Sequence, residues 1–489
     1  MPHVYKKLFC FLAVSSSLAL SPIQASESIL LTDKASGRTI TAVIINSNDK
    51  NVTVLLESGK THDLPLDSLT EDSVKKIHTQ LVKLRTPLAE ASRAVNKAIG
   101  ITIFGGAVPL WDEPVQTVAQ RLSIRAESTV KTMRSYRLYT RGVGSFLGAH
   151  PYCITLYGNA EEYAEQISLV FANKGDYGSK FGLGQDHFKK VYAGKEPPQS
   201  LAKAIELDAE TITGALTQEF GEPETQYFGE KSDRRKVKRW DWNNHSFVLS
   251  ELDSEYVSLS IIPTTVADAQ GKVARINDSE MKKIKAKNVI KEANGDVRIQ
   301  NIPMVDQGPK GYCVPATMER AMRYMGVPAD MYLLAVSATN PERGTNTNLL
   351  KANCERIVRS KARKFKPVKF DRAIKMKEVK KHIDQGVPIL WRMRSLEDYN
   401  KIATLTTRQR ARVKDFQAWA TKLQENANEV APSLQQINEN HHICMIIGYN
   451  EKTNELAVSD SWGARYALRW VHVDIASAVS SGGSFVLSF

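Results

Sequence analysis

The chain has 489 residues, of which 42% are hydrophobic and 24% charged, and it carries a formal net charge of +13. That composition is ordinary for a globular protein and excludes wholesale disorder, a collagen repeat and a disulfide-dense miniprotein. The length predicts about three domains, and the longest apolar run, Leu8 to Leu20, is too short to cross a bilayer.

That run follows Lys6-Lys7 and leads into Pro22-Ile23-Gln24-Ala25. A basic start, a short apolar core and a small residue at its end mark residues 1–25 as a signal peptide, so a secreted or periplasmic protein with no transmembrane segment is expected. Cys10 sits inside the apolar core, which is not the placing of a lipoprotein anchor. Four cysteines follow: Cys153, Cys313, Cys354 and Cys444. They are too few for a disulfide framework, although Cys354 and Cys444 remain either a disulfide or buried free thiols. No pair has C-x-x-C spacing and there is no His-Glu-x-x-His run, so neither a metal nor a cofactor is expected.

Residues 29–75 hold short runs of alternating polarity, among them Thr39–Ile44 and Val52–Leu56, parted by Ser36-Gly37, Asn48-Asp49 and Ser58-Gly59. Several short strands in so few residues predict a small barrel over 26–78. Thr32-Asp33, Ser36-Gly37-Arg38, Val54-Leu55, Gly59-Lys60 and Leu64-Pro65-Leu66 resemble the SH3-like Sla-type homology domain. That resemblance implies a module that binds a peptide or a neighbouring domain.

A helix is predicted over 76–100. The stretch 79–265 then reads as a duplicated α+β module. Its first copy has a helix near Pro114–Leu122 and strands at Cys153–Tyr157 and Gln166–Phe171; its second has a helix at Ala209–Phe220 and strands at Ser246–Ser250 and Tyr256–Ile261. The offset of roughly 95 residues is too long for a solenoid repeat. Gly142, Gly144, Gly148, Gly182 and Gly184 do not lie between a strand and a helix and are read as turns, and Cys153 as a core residue. The polar stretch 266–290 is a linker or a surface helix.

Between Arg356 and Lys381 stand twelve lysines and arginines against only Asp371 and Glu378. Such a segment is either a solvated surface or a contact for an anionic polymer; no specific nucleic-acid signature accompanies it. The run Lys377–Ile383 predicts a helix and Gly386–Met393 a strand. The insertion 395–440 is helical, with Phe416 and Trp419 on one side, and either walls a cleft or covers the sheet.

The chemistry concentrates at Met304–Gly326. A polar loop runs into a helical stretch, placing Cys313 at the helix start, where Pro315 is tolerated and the dipole favours a thiolate. A thiolate nucleophile needs a base, and His441-His442 stand at the mouth of an apolar strand, with only one of them able to face the sulfur. A turn at Lys452-Thr453-Asn454 and a return strand bring Asp460 beside them, an acid suited to orienting an imidazole.

Gln307, six residues before Cys313, together with His442, six before Gly448, and Asp460-Ser461-Trp462-Gly463 resembles the papain-like cysteine peptidases. His442 and Asp460 follow Cys313 at about 130 and 150 positions, the separations of papain-type enzymes. The Cys-x-Pro-Ala start and the acid in place of the usual Asn are similar to the bacteriocin-processing (double-glycine leader) branch, while Val314 departs from the glycine common there.

The resemblance covers about 290–489. It implies a papain-like fold for 291–489, with Cys313 as nucleophile, His442 as base, Asp460 as orienter and Gln307 as oxyanion donor. It also implies Trp462, Gly311 and Tyr312 near a peptide or protein substrate. The expected whole is an α+β multidomain cysteine peptidase. A thiol amidase or acyltransferase, a non-catalytic binding protein and a precursor blocked by its own N-terminal regions are the alternatives.

Overall fold

Runs of β-branched residues separated by turns build three principal sheets in the computed structural model, which describes residues 28–56, 60–140, 144–178, 186–191, 196–336, 338–340, 344–370 and 373–489. The signal-peptide reading, with Cys10, and three of the turn glycines (Gly142, Gly182, Gly184) lie outside these residues. The chain divides into two units between Glu90 and Ala91. Among the described residues no helix is long and apolar enough to cross a membrane.

In the first unit β1 (Ile29–Thr32), β2 (Thr39–Ser47), β3 (Asn51–Leu56) and β4 (Thr61–Pro65) form an antiparallel meander in chain order. Alternation puts Val52 and Val54 on the inner face with Leu31, Ala42 and Ile44, where Ile77 of α1 (Glu71–Ile99) joins them.

The second unit begins with an eight-stranded antiparallel sheet. One four-stranded meander consists of β5 (Arg125–Val130), β6 (Met133–Tyr139), β7 (Cys153–Gly158) and β8 (Ala164–Asn173). A second consists of β9 (Glu224–Phe228), β10 (Arg235–Trp242), β11 (His245–Leu252) and β12 (Tyr256–Pro263). They join where β8 pairs with β12, Leu169 opposite Leu259. Helix α2 (Val115–Arg121) precedes the first, and α3 (Lys174–Tyr177), α4 (Asp186–Val191) and α5 (Leu201–Phe220) separate them. Val118 of α2 and Ile205, Ile212 and Leu216 of α5 pack on the face carrying Leu156, Leu169, Phe247 and Leu259. The opposite face carries Cys153 and Val170, which are covered by Val305, Tyr312, Ala316 and Tyr332 from later in the chain. Cys153 is thus a core residue, as expected.

The polar stretch after Pro263 is helical: α6 (Thr264–Asp268) and α7 (Asp278–Ala286) lie in it, with the Lys285 ammonium 3.8 Å from the Tyr324 ring centre. The last sheet runs β13 (Val289–Lys291), β14 (Asp296–Ile299), β19 (His441–Asn450), β18 (Ile389–Arg394), β22 (Phe485–Ser488) and β17 (Lys364–Pro367). From β19 it extends through β20 (Glu455–Ser459) to β21 (Arg469–His472), and a small hairpin pairs β15 (Thr339–Asn340) with β16 (Gly344–Thr345). Around it stand α8 (Cys313–Tyr324), α9 (Met331–Ala335), α10 (Thr347–Ser360), α11 (Met376–Ile383), α12 (Glu397–Arg410), α13 (Phe416–Gln436) and α14 (Val473–Val479).

Helix α8 is buried along nearly its whole length. One side meets β19, where the Thr317 hydroxyl donates to the Ile443 carbonyl at 3.1 Å. Another meets the middle sheet, where the Arg323 guanidinium lies 4.6 Å from the Tyr157 ring centre.

Among the described cations of the basic segment, two are interior: Lys361 pairs with Glu230 at 2.8 Å and Arg363 with Asp278 at 2.9 Å. The helical insertion is tied to the sheet through Arg410, whose Nε donates to Glu455 at 2.9 Å and whose terminal nitrogens grip Asp296. Its guanidinium also lies over the Trp470 ring, 3.9 Å from the centre.

Gly448 pairs with Arg298 of β14, and a Cβ there would stand 2.5 Å from the Val297 carbonyl oxygen. Gly448→Ala is therefore expected to lower unfolding free energy by about 1–3 kcal/mol, since backbone atoms must move to admit the methyl. Denaturant titration measures this, and an unchanged midpoint would show that the strands part without strain.

Candidate active site

Cys313 opens α8, with Tyr312 at the cap position providing no side-chain hydrogen bond to the first turn. The free N–H groups of that turn face the thiol end of the helix, the arrangement expected from the loop-to-helix transition. Cys313 is half-buried, and all four described cysteines are free thiols, so Cys354 and Cys444 are not joined. Burial pushes the Cys354 thiol up to about 12 and drives that of Cys444 well above the ordinary thiol value, which leaves both inert.

His442 is brought to the helix start by the pairing of β19 with β18, where it sits opposite Met393. His441, its neighbour, is exposed on the other face. The last rung of the β19–β20 ladder at this end pairs Met445 with Ser459, so Asp460 leaves the sheet and turns back toward His442. The His442 Nε2 and the Asp460 Oδ1 are 2.8 Å apart. The Cys313 thiol is a hydrogen-bonding partner of the same ring. With Nε2 on the carboxylate, the nitrogen left for sulfur is Nδ1.

Burial is the largest single influence on this ring and opposes its protonation. The charge on Asp460, then that on Cys313, and the hydrogen bonds to both outweigh it and raise the imidazole to about 10. Burial likewise pushes the Asp460 carboxyl up, but His442 and then Arg469 overcome it and hold the group below the usual carboxylate range. The Arg469 Nη2 donates to Asp460 Oδ2 at 3.2 Å and its Nη1 to Asn400 of α12 at 2.9 Å. The Ser461 amide donates to Asp460 Oδ1 at 2.9 Å. Trp462 stacks on the His442 ring at 4.9 Å between centres.

Gln307 lies in the same cluster. Its Nε2 donates to the Lys310 carbonyl at 3.1 Å, and its Oε1 accepts from the Ser461 hydroxyl at 2.9 Å. Its backbone N–H donates to the Ser461 carbonyl at 2.9 Å, tying the loop before Cys313 to the loop after Asp460. One N–H of the Gln307 amide is left for another acceptor.

Of the three residues expected near a substrate, Gly311 is exposed and approaches Gly344 of the small hairpin, and Trp462 covers the His442 ring. Tyr312 is a correction. Its side chain is buried between Tyr332 and the backbone of Gly175, because the first turn of α8 points it into the middle sheet and away from open solvent. Sequence reasoning gave Ser461 of the motif no role, and it missed Arg469 and the middle-sheet residues beneath the loop. Here the Tyr139 hydroxyl donates to the Asp306 carbonyl at 2.6 Å, and the Asp306 amide donates to Glu127 at 2.6 Å.

No curated protein matches the chain. Residues 299–477 match the model of the Peptidase_C39 like family, a match that supports a papain-like peptidase of cysteine type in the C-terminal region.

Proposed function

We propose that this chain is an exported cysteine peptidase in which Cys313, His442 and Asp460 act as nucleophile, base and orienter and Gln307 helps stabilise the oxyanion. The observation that carries the reading is the shared imidazole: one buried ring has Asp460 on Nε2 at 2.8 Å and the Cys313 thiol as its other partner. The thiolate attacks a peptide carbonyl and forms a thioester-bound acyl group, while the imidazolium gives its proton to the departing amine. Water, deprotonated by the ring, then releases the acid and restores the thiol. The Cys313 N–H and the spare Gln307 N–H bind the carbonyl oxygen as it becomes negative. Trp462 shields the His442–Asp460 bond from water. We read the four-stranded N-terminal meander as an SH3-like interaction module and the two later meanders as tandem copies of one unit.

Intact-mass labelling with iodoacetamide tests the assignment. Cys313 is expected to react about ten-fold or more faster than glutathione at pH 6, with the three buried thiols unmodified. Slow, equal labelling of all four would overturn the assignment, as would hydrolysis undiminished in Cys313→Ser.

The raised His442 value also sets a pH profile. Folded His442 binds its proton more tightly than the ordinary value of 6.5, so its contribution to stability is complete below that pH and is lost as the pH rises through about 10. Hydrolysis of a library-selected peptide is expected to hold through neutral pH and to fall toward pH 10 as the acid for the leaving amine disappears. A rate still rising at that pH would remove His442 from the role.

A further inference from the structure

We propose that Lys310 is a positioning residue for acyl transfer: its ammonium, clasped by Asp176 of the middle module, holds the Gln307–Cys313 loop in the form that receives the oxyanion. The inference deepens the peptidase reading and rests on it. Lys310 lies between the two residues that would hold the oxyanion, and its own carbonyl accepts the Gln307 amide at 3.1 Å.

The Lys310 side chain is wholly buried and points away from the site, to an ion pair with Asp176 at 3.2 Å. The faces of Tyr139, Tyr332 and Tyr312 surround the ammonium at 4.5, 4.9 and 5.4 Å from their centres. Asp176 is fixed in turn by Asn173 at 3.1 Å and the Tyr332 hydroxyl at 3.4 Å. A lysine is almost never fully buried without a partner, and one carboxylate with three aromatic faces is a built socket.

The carboxylate and the nearest ring of the socket, Asp176 and Tyr139, belong to the middle module, whereas Tyr312, Tyr332 and the carbonyl that orients Gln307 belong to the peptidase region. Gly308 and Gly175 show how closely the parts fit: a Cβ on Gly308 would strike the Tyr139 ring at 2.6 Å, and one on Gly175 would overlap the Tyr312 ring. Removing the charge frees the loop to shift, and donors misplaced by a fraction of an ångström lose most of their effect on a developing charge. The thiol and imidazole are attached to α8 and β19 and do not depend on this clasp.

The test compares two reactions of Cys313 in full-length protein. With 4-nitrophenyl acetate the sulfur forms a bond to the ester carbonyl carbon and 4-nitrophenolate leaves with its electron pair, a step that passes through an oxyanion. With iodoacetamide the sulfur displaces iodide and no oxyanion forms. Lys310→Met is expected to slow acetylation on the order of 10²-fold, and Asp176→Asn by a smaller factor of the same sign, while alkylation stays within two-fold of wild type. Both rates are read by intact mass on samples with a retained thermal transition.

Unchanged acetylation overturns the proposal. Equal slowing of both reactions does so too, since it would assign Lys310 to placing the thiol. Loss of the folded state in both variants would restrict the pair to folding and is equally fatal. If wild type itself shows no fast alkylation, the peptidase reading fails first, and that result is separable from the others.

Discussion

His442→Ala is expected to lower peptide hydrolysis by roughly 10³-fold or more and Cys313 alkylation at pH 6 by on the order of 10²-fold. The ring is in contact with both the thiol and Asp460, so its removal takes away the proton acceptor and the counter-charge together. His441→Ala is the matched control. It deletes the same side chain one position earlier, on the exposed face of the strand, and both rates are expected to stay within about two-fold of wild type because alternate residues of a strand face opposite ways. Single-turnover alkylation and steady-state hydrolysis of both variants decide the matter. Silencing by the His441 variant with the His442 variant intact would mean the wrong imidazole has been assigned.

Arg410→Met is expected to reduce unfolding free energy by about 3–5 kcal/mol, the range for removing one member of a buried charge cluster. Arg410 answers two carboxylates, Asp296 and Glu455, both almost fully buried. Without it their remaining donors among the described residues are neutral: Asn450 at 2.6 Å and Asn294 at 3.0 Å for Asp296, and Thr453 at 2.7 Å and the Trp419 indole at 3.4 Å for Glu455. Burial already pushes the Glu455 carboxyl up, and losing the guanidinium pushes it further, so the deficit should narrow as the pH falls and the group takes a proton. Denaturant titrations at pH 7.5 and pH 5 measure both effects. A loss below about 1 kcal/mol at the higher pH would mean that the helical insertion is held by its apolar contacts alone.

Much of the site is legible in the sequence because its chemistry sits in local signals. A glycine-rich loop running into a helix locates Cys313, and a histidine pair at the mouth of an apolar strand, followed by a turn and a return strand, locates Asp460. The choice between His441 and His442 needs the family spacing to Gly448, a residue whose missing side chain makes room for the Val297 carbonyl. Arg469 and Lys310 carry no such signal, since the partner of Lys310 lies in a short helix far back in the chain and Arg469 itself stands on β21, a strand whose own pattern is faint.

The fold is legible where apolar runs are long. Strands β7, β8, β11 and β12 are each apolar enough to be read, and the ends of α2, α8 and α11 fall within a few residues of expectation. Strands β5, β6, β9 and β10 are rich in Arg, Lys, Ser, Thr and Gln, and they become strands through pairing with their neighbours. The closing strands β21 and β22 are short and likewise take their form from their ladders. Tyr312 misleads because an aromatic next to a nucleophile suggests a ligand contact, whereas the helix start turns it inward.

The sharing of α8 between two sheets has a consequence for biogenesis. As the chain emerges from the ribosome, the middle sheet is complete once Pro263 is free, yet one of its faces, with Cys153 and Val170, stays bare until Val305, Ala316 and Tyr332 arrive. Contacts such as that between Glu127 and Asp306 span 179 positions and so form late. Newborn chains therefore pass through a sticky half-built stage, in which a holding chaperone or a delay before folding would protect them from aggregation.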